Sequence, residues 1–297
     1  MPNSSKPTIN QARTEATKSL RALGIETAAL DARVLMAHVL GVSATQLLIR
    51  DPEPISDDEY REYLELVRRR ATGVPVAYLT GYREFMGLQF AAGPDVLVPR
   101  PDTEPLVEWG LNWLKSHPQA TVVDIGTGSG AIALSVVYHA DSAWTGTLIA
   151  SDISPEALRI ATRNADALLP PTKRKHLRFI HGSLTEPLTD PVDLLLTNLP
   201  YLTPEQIEGN PDLGHEPQLA LDGGAAGLDL VRRVINDLPR ILAPSGAVGF
   251  EIDPSQAPQV RQLLASALPD HQIEIVHDLS GDERHVVAYS RGDSNFL

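Results

Sequence analysis

Apolar positions through roughly residues 8–80 recur at helical spacing. Leu20, Leu23, Leu30, Val34, Leu35 and Val39 fall on helix-period positions, and Gly24 and Gly41 supply helix ends. Ser56 followed three residues later by Glu59 is the pattern of a capping box and predicts a helix running to Arg70. The period then changes. Between 84 and 100, Phe85, Leu88, Phe90, Val96 and Val98 are punctuated by Gly87, Gly93 and Pro94, which predicts a β-hairpin. From about 103 onward short apolar runs alternate with helical segments. The predicted strands are 121–125, 146–152, 177–181, 193–197, 246–252, 272–277 and 285–289; the predicted helices are 131–138, 155–168 and 227–242. Strand–helix alternation needs crossover connections, so it implies a parallel sheet with helices on both faces. The last two strands are separated only by a turn at 279–282 and are predicted antiparallel. The expected class is therefore α/β with a seven-stranded mixed sheet. Three regions are expected: a helical bundle over 1–82, a hairpin linker over 83–102, and the α/β domain over 103–297.

Composition narrows the function more than the fold. The chain has 297 residues, 42% of them hydrophobic and 21% charged, ordinary values for a globular protein. No apolar run approaches the roughly 20 residues of a membrane helix. Residues 1–11 are polar, without the apolar segment of a secretory signal. A monomeric, cytoplasmic protein with no membrane association is expected. The absence of cysteine removes disulfides, thiolate metal sites and cysteine nucleophiles. The nine histidines include no pair at the i, i+4 spacing of a helical zinc site, so no metal is expected. The formal net charge is −13, against the basic face that long nucleic acid requires. Two basic clusters, Arg68-Arg69-Arg70 and Lys173-Arg174-Lys175, read as a solvated helix end and a loop. No stable nucleic-acid binding is expected, and the charge points to a protein or small-molecule acceptor.

Two segments carry candidate chemistry. Val122-Val123-Asp124-Ile125-Gly126-Thr127-Gly128-Ser129-Gly130 follows a strand and opens a helix. Glycines let the chain turn sharply and approach a ligand, and the helix start offers free amides. Asp152 ends the next strand at a distance suited to ribose hydroxyls. By spacing alone this pattern fits a nicotinamide dinucleotide as well as other adenosine cofactors. The second segment, Asn198-Leu199-Pro200-Tyr201, ends the fourth predicted strand. Pro200 biases Leu199 toward an extended conformation, from which its carbonyl can project. The Asn198 side-chain oxygen and the Leu199 carbonyl are two acceptors that could hold a ligand group carrying two N–H donors.

These residues resemble motifs of known families. Asp124-x-Gly126-x-Gly128-x-Gly130 resembles the first motif of class I methyltransferases, and Asn198-Leu199-Pro200-Tyr201 resembles the Asn/Asp-Pro-Pro-Tyr/Phe motif of members acting on planar amides or amino groups, with Leu199 in place of the commoner proline. The resemblance implies a Rossmann-like fold and S-adenosylmethionine as cofactor. Asp124, Gly126, Thr127, Gly128 and Gly130 would form the cofactor loop, Asp152 and Ile153 would lie at the ribose, Ser183 and Leu184 at the adenine, and Asn198 beside the cofactor. Many members carry an acid where this chain has Ser183.

A narrower resemblance follows. Arg69-Arg70-x-x-Gly73-x-Pro75-x-x-Tyr78-Leu79-x-Gly81-x-x-Glu84-Phe85-x-Gly87-Leu88 is similar to the linker of peptide chain release factor N5-glutamine methyltransferases, the PrmC/HemK family. So are Val98-Pro99-Arg100-Pro101-Asp102-Thr103-Glu104, Glu216-Pro217-x-x-Ala220-Leu221-x-Gly223-Gly224 and Asp278-Leu279-Ser280-Gly281-x-Glu283-Arg284. A related branch that modifies a ribosomal protein has Pro-Arg-Ser-Pro where this chain has Pro-Arg-Pro-Asp. The resemblance implies that class 1 release factors are the partner. Asn198, Leu199, Pro200 and Tyr201 would hold the glutamine of their Gly-Gly-Gln loop, with Tyr201 as an aromatic wall, and the helical domain would dock the factor. Arg100 and Glu104 would shape the pocket; alternatively they form a salt-bridged helix start, with Asp102 or Thr103 as its cap. The alternatives are a ribosomal-protein glutamine methyltransferase, an adenine-N6 nucleic-acid methyltransferase, a nicotinamide-dependent oxidoreductase and a non-catalytic binding module.

Overall fold

A computed structural model describes residues 6–278 and 280–292 of the chain. Residues 1–5, whose polar character entered the sequence reading, lie outside that range, as does Leu279 of the predicted turn. The described residues form two compact units. The first spans the chain to Gly81 and adds Pro211–His215, and the second holds Tyr82–Asn210 and the chain from Glu216.

The first unit contains five helices: α1 (Ile9–Ala22), α2 (Ala28–Leu40), α3 (Ala44–Arg50), α4 (Asp57–Ala71) and α5 (Val76–Thr80). The capping box is present: Ser56 Oγ accepts from the Glu59 amide, and the Glu59 carboxylate accepts from the Ser56 amide. Gly41 ends α2 in the left-handed conformation, φ 60°. Ile9, Leu20, Leu35, Met36, Leu47 and Tyr63 form the core. Tyr63 donates its hydroxyl to the Ala32 carbonyl at 3.1 Å. Arg70 of α4 reaches Asp31 of α2 through a buried ion pair, Nε to Oδ2 2.7 Å. Asp212 lies 3.7 Å from the same guanidinium.

The second unit opens with a hairpin, β1 (Tyr82–Phe85) and β2 (Leu88–Ala91), which pairs Phe85 with Leu88. The hairpin is therefore shorter and earlier than the predicted 84–100. Met86 and Gly87 take left-handed conformations, φ 51° and 74°, and close the turn there, while Val96 and Val98 are buried outside any strand. There follow α6 (Glu104–Leu114), β3 (Val122–Ile125), α7 (Ala131–His139), β4 (Leu148–Asp152), α8 (Pro155–Leu168), α9 (Pro171–Arg174), β5 (Leu177–His181), β6 (Val192–Thr197), α10 (Pro204–Glu208), α11 (Asp229–Ile241), β7 (Leu242–Glu251), α12 (Ala257–Ala267), β8 (His271–His277) and β9 (Glu283–Ser290). The apolar pattern predicts no helix at α12, whose buried positions Ala257, Val260 and Leu264 are few and are interrupted by Pro258.

The seven strands form one sheet in the order β5-β4-β3-β6-β7-β9-β8. The first five are parallel; β9 runs antiparallel to both β7 and β8. Alternating side chains separate two cores. Val122, Leu194, Leu196 and Val287 join Leu106, Trp113 and Ile132 in one. Val123, Ile125, Leu195 and Phe250 join Val231, Val234 and Val260 in the other. The strand order reverses beside β3, where the connections leave toward opposite sides and open a crevice at the carboxyl ends of the strands. No single described helix is long and apolar enough to cross a membrane.

Candidate functional site at the strand ends

The crevice holds a cavity of about 240 Å³. Its floor is the glycine loop after β3. Gly126, Gly128 and Gly130 have φ of 72°, 54° and 85°, a conformation that side chains oppose. The loop is held from several sides. The Gly126 and Thr127 amides donate to the Ser151 carbonyl of β4 at 2.8 and 2.9 Å. Asn164 of α8 donates through Nδ2 to the Ser129 carbonyl at 2.8 Å, and its Oδ1 accepts from the Ala91 amide of the hairpin at 2.9 Å. Asn164 was not singled out by sequence, yet it left a signal: a polar residue on the apolar stripe of Ala157, Ala161 and Ala165.

Asp124 lies beneath the loop and does not line the cavity. Its Oδ2 accepts from the Thr127 hydroxyl at 2.6 Å and the Ala133 amide at 3.1 Å, while buried Oδ1 has no partner. Burial pushes its carboxyl up to about 7, against the pull of those two hydrogen bonds. Gly130 lies outside the cavity lining too, as the first residue before α7. The lining does include Gly126, Thr127, Gly128, Asp152, Ile153, Ser183 and Leu184. Asp152 accepts from the Gly128 amide at 2.8 Å and the Ser154 amide at 2.9 Å. Burial raises its pKa, and those amides oppose the shift. Ile153 is half exposed on the cavity wall, an apolar surface suited to the face of a ring. Leu184 has φ 49°, a strained value for a branched side chain at a functional edge.

The Asn198 segment leaves β6 beside the loop. Thr197 pairs with Ile125, and its hydroxyl donates to the Ile125 carbonyl at 2.6 Å, so the two motifs start from one register. Asn198, Leu199 and Pro200 all line the cavity. Asn198 Nδ2 donates to Thr103 Oγ1 at 3.2 Å, which leaves Oδ1 to accept from a ligand. Thr103 is thus not the side-chain cap of α6: it makes no capping hydrogen bond and holds Asn198 instead. The Leu199 side chain is buried against the loop, its Cδ2 3.3 Å from where a Cβ on Gly126 would stand. Tyr201 does not line the cavity. Its hydroxyl donates to Glu251 Oε1 at 3.3 Å, and burial, reinforced by the Glu251 charge, raises its pKa.

Arg100 lines the cavity and is paired to Glu216, a buried carboxylate that also accepts from the Val98 amide at 2.9 Å. Glu104 is elsewhere. Its Oε1 accepts from the Met86 amide at 2.9 Å, so it braces the hairpin turn and does not face the cavity. A further support comes from the Gly223-Gly224 motif, which the sequence marks by resemblance without a role. The loop after Leu221 passes close under the Asn198 segment: a Cβ on Gly223 would stand 2.6 Å from the Pro200 carbonyl and 2.8 Å from Tyr201 Cα. Gln256 Nε2 donates to the Tyr201 carbonyl at 2.9 Å.

This mixed sheet, with a glycine loop and an acid-ended neighbouring strand, defines a class I methyltransferase fold. Among solved structures, the hMettl16 catalytic domain shares it at a TM-score of 0.53 and 17% identity, over 79% of this chain and 82% of that one. Residues 109–212 match the family model "Methyltransferase small domain", and residues 11–81 match "PrmC N-terminal domain". Curated relatives reach further. A protein of Deinococcus radiodurans is 38% identical over 280 residues, covering 94% of this chain and 97% of its own. One of Burkholderia pseudomallei is 41% identical, covering 91% and 94%. One of Moorella thermoacetica is 36% identical, covering 96% and 99%. All three are named release factor glutamine methyltransferase. The chain belongs to the release factor glutamine methyltransferase family.

Proposed function

We propose that this protein transfers a methyl group from S-adenosylmethionine to the side-chain amide nitrogen of a glutamine in the Gly-Gly-Gln loop of peptide chain release factors. The observation that carries the reading is the juxtaposition of the glycine loop and Asn198 on neighbouring strands, joined by the Thr197–Ile125 hydrogen bond. The cavity suits the cofactor chemically. The left-handed glycines leave room where side chains would stand, Asp152 offers a carboxylate to ribose hydroxyls, and Ile153 and Leu184 offer apolar surface to adenine. Ser183 completes that set. When bound, the cofactor supplies an electrophilic methyl on a sulfonium centre.

The chain's own residues then act on the acceptor. Thr103 holds Asn198 Nδ2, so Asn198 Oδ1 accepts one amide N–H of the substrate glutamine. The Leu199 carbonyl accepts the other, a role that tolerates a change of side chain at that position. Together they orient the nitrogen and favour the positive charge that grows on it as it attacks. Its proton is lost after transfer, so no strong base is required. Pro200 and Arg100 wall the acceptor end, with Arg100 fixed by Glu216. Tyr201 flanks the acceptor from outside the cavity lining, and Glu104 contributes only by bracing the hairpin. The helical unit, 1–82 on the sequence boundary, docks the release factor; the enzyme works as a cytoplasmic monomer.

The test is direct. Incubation with labelled S-adenosylmethionine and a purified class 1 release factor should place the label on the Gly-Gly-Gln glutamine when mapped by mass spectrometry. Label on a ribosomal protein or on adenine, and none on the release factor, would overturn the assignment.

A further inference from the structure

Four strands deliver a polar residue to the carboxyl edge of the sheet: Asp124, Asp152, Asn198 and Glu251. The proposed reaction uses Asp152 and Asn198, and Asp124 holds the glycine loop from beneath. Glu251 differs from the other two acids in how it is satisfied. Asp124 and Asp152 accept hydrogen bonds from backbone amides of the glycine loop and the helix starts. Glu251 is 1% exposed, and its one hydrogen bond among the described residues is at Oε1, from the Tyr201 hydroxyl at 3.3 Å. Oε2 has no hydrogen-bond donor among the described residues and faces His285 Nε2 at 3.7 Å. His285 is fully buried, and neither of its ring nitrogens has a hydrogen-bond partner among the described residues.

Stability does not account for this set. A buried carboxylate with one long hydrogen bond and a facing imidazole costs desolvation that the charge of half-buried Arg284 nearby repays poorly, and apolar side chains of similar volume would pack as well or better. The neighbours Phe250, Ile252 and Val286 are such side chains. What the set does is hold Tyr201. Thr197 pairs with Phe250, so Glu251 leaves β7 beside the start of the Asn198 segment. The Tyr201 main chain is already fixed, its carbonyl on Gln256 Nε2 at 2.9 Å and its Cα against Gly223. A hydrogen bond at the far end of the ring removes its remaining freedom.

We propose that Glu251, backed by His285, is a positioning residue for methyl transfer: by accepting the Tyr201 hydroxyl it locks the ring that flanks the acceptor nitrogen. The inference rests on the proposed function, because only an acceptor bound at the 198–201 segment gives that orientation a consequence. Displacements of about 1 Å at a reacting group can cost about a hundredfold in rate, so a fixed wall affects turnover more than binding.

The test is a double-mutant cycle read in two quantities, kcat with release factor and the dissociation constant for S-adenosylmethionine. Tyr201→Phe and Glu251→Leu are each expected to lower kcat by about tenfold, the worth of one hydrogen bond to a charged group. The cofactor constant should stay within about twofold of its original value. Glu251→Gln, which can still accept the hydroxyl, should recover most of the rate. Combining Tyr201→Phe with Glu251→Leu should be no worse than the poorer single variant, since both remove one interaction. Unchanged kcat in Glu251→Leu, single losses that multiply in the double variant, or cofactor affinity falling in step with kcat would each overturn the proposal. Should Glu251→Leu fail to fold, Tyr201→Phe decides, because it removes the same hydrogen bond: an unchanged kcat, or a cofactor constant that changes in step with kcat, overturns the proposal. Failure of the unaltered protein to methylate a release factor would instead sink the functional reading.

Discussion

Asn198 acts through an orientation, and Thr103 sets it. With Nδ2 engaged at 3.2 Å, the side chain offers an acceptor and not a donor to the cavity. Asn198→Ala should therefore lower kcat about a hundred- to a thousandfold, the scale of losing one preorganised polar group at a reacting centre. Its effect on cofactor affinity should stay within about threefold, since the glycine loop and Asp152 remain. Isothermal titration beside single-turnover kinetics separates the two, and equal losses would contradict the role. Asp124 makes a different prediction. Its folded carboxyl sits at about 7 against an ordinary 3.8, so the folded state holds a proton that the unfolded chain releases. The stability this confers is complete below about 4 and is lost as pH rises through 7, by on the order of 4 kcal/mol at about 1.4 kcal/mol per unit. Asp124→Asn should flatten that slope in urea unfolding at pH 5 and 8; an unchanged slope would place the titration elsewhere.

At the scale of elements, the site is an alignment of strand ends. Asp152, Asn198 and Glu251 come level because β3, β4, β6 and β7 pair in parallel register, and Asp124 sits two residues lower on β3, beneath the loop. Beneath the Asn198 segment the loop at 221–228 acts as a spacer whose thickness is set by a glycine. Gly223→Ala would drive a Cβ to 2.6 Å from the Pro200 carbonyl, closer than atoms approach. We expect a cost of about 1–3 kcal/mol in stability and a larger fractional loss of turnover, because the strain falls on the segment that holds the acceptor. A thermal melt and a kcat measurement on one preparation check the pair; full turnover would mean that the loop yields without moving residues 200–201. The hairpin shows where pattern reading stopped. Glycines at 87 and 93 both punctuate an apolar run, and only the left-handed Met86-Gly87 pair, with the Met86 amide on Glu104, decides which one closes the turn.

The molecule as a whole divides into two units with different probes. All three tryptophans, Trp109, Trp113 and Trp144, lie in the α/β unit, while the first unit is helical. Arg70→Met would leave Asp31 buried without its ion pair, at a cost of about 3–5 kcal/mol confined to the helical unit. Far-ultraviolet circular dichroism should show an earlier helical transition, while tryptophan fluorescence melts as before. A common shift in both signals would show that the units unfold as one. Cofactor affinity should not change, since every residue assigned to the cofactor belongs to the α/β unit.

Local order was legible in the sequence because it depends on neighbours along the chain. Helical and alternating periods, the Ser56–Glu59 box, the glycine loop and the Asn198 segment are all short-range patterns, and they sufficed for the α/β class and for the family. What tertiary structure decided is which side chains meet across distant segments. Thr103 turns away from capping α6 to hold Asn198, 95 residues on. Glu104 braces a hairpin, Asn164 ties that hairpin to the loop, and Glu251 meets Tyr201. Each is a hydrogen bond satisfied across the fold. A polar group leaves water only where a partner waits, and the partner's place is set by the packing of the sheet and not by spacing along the chain.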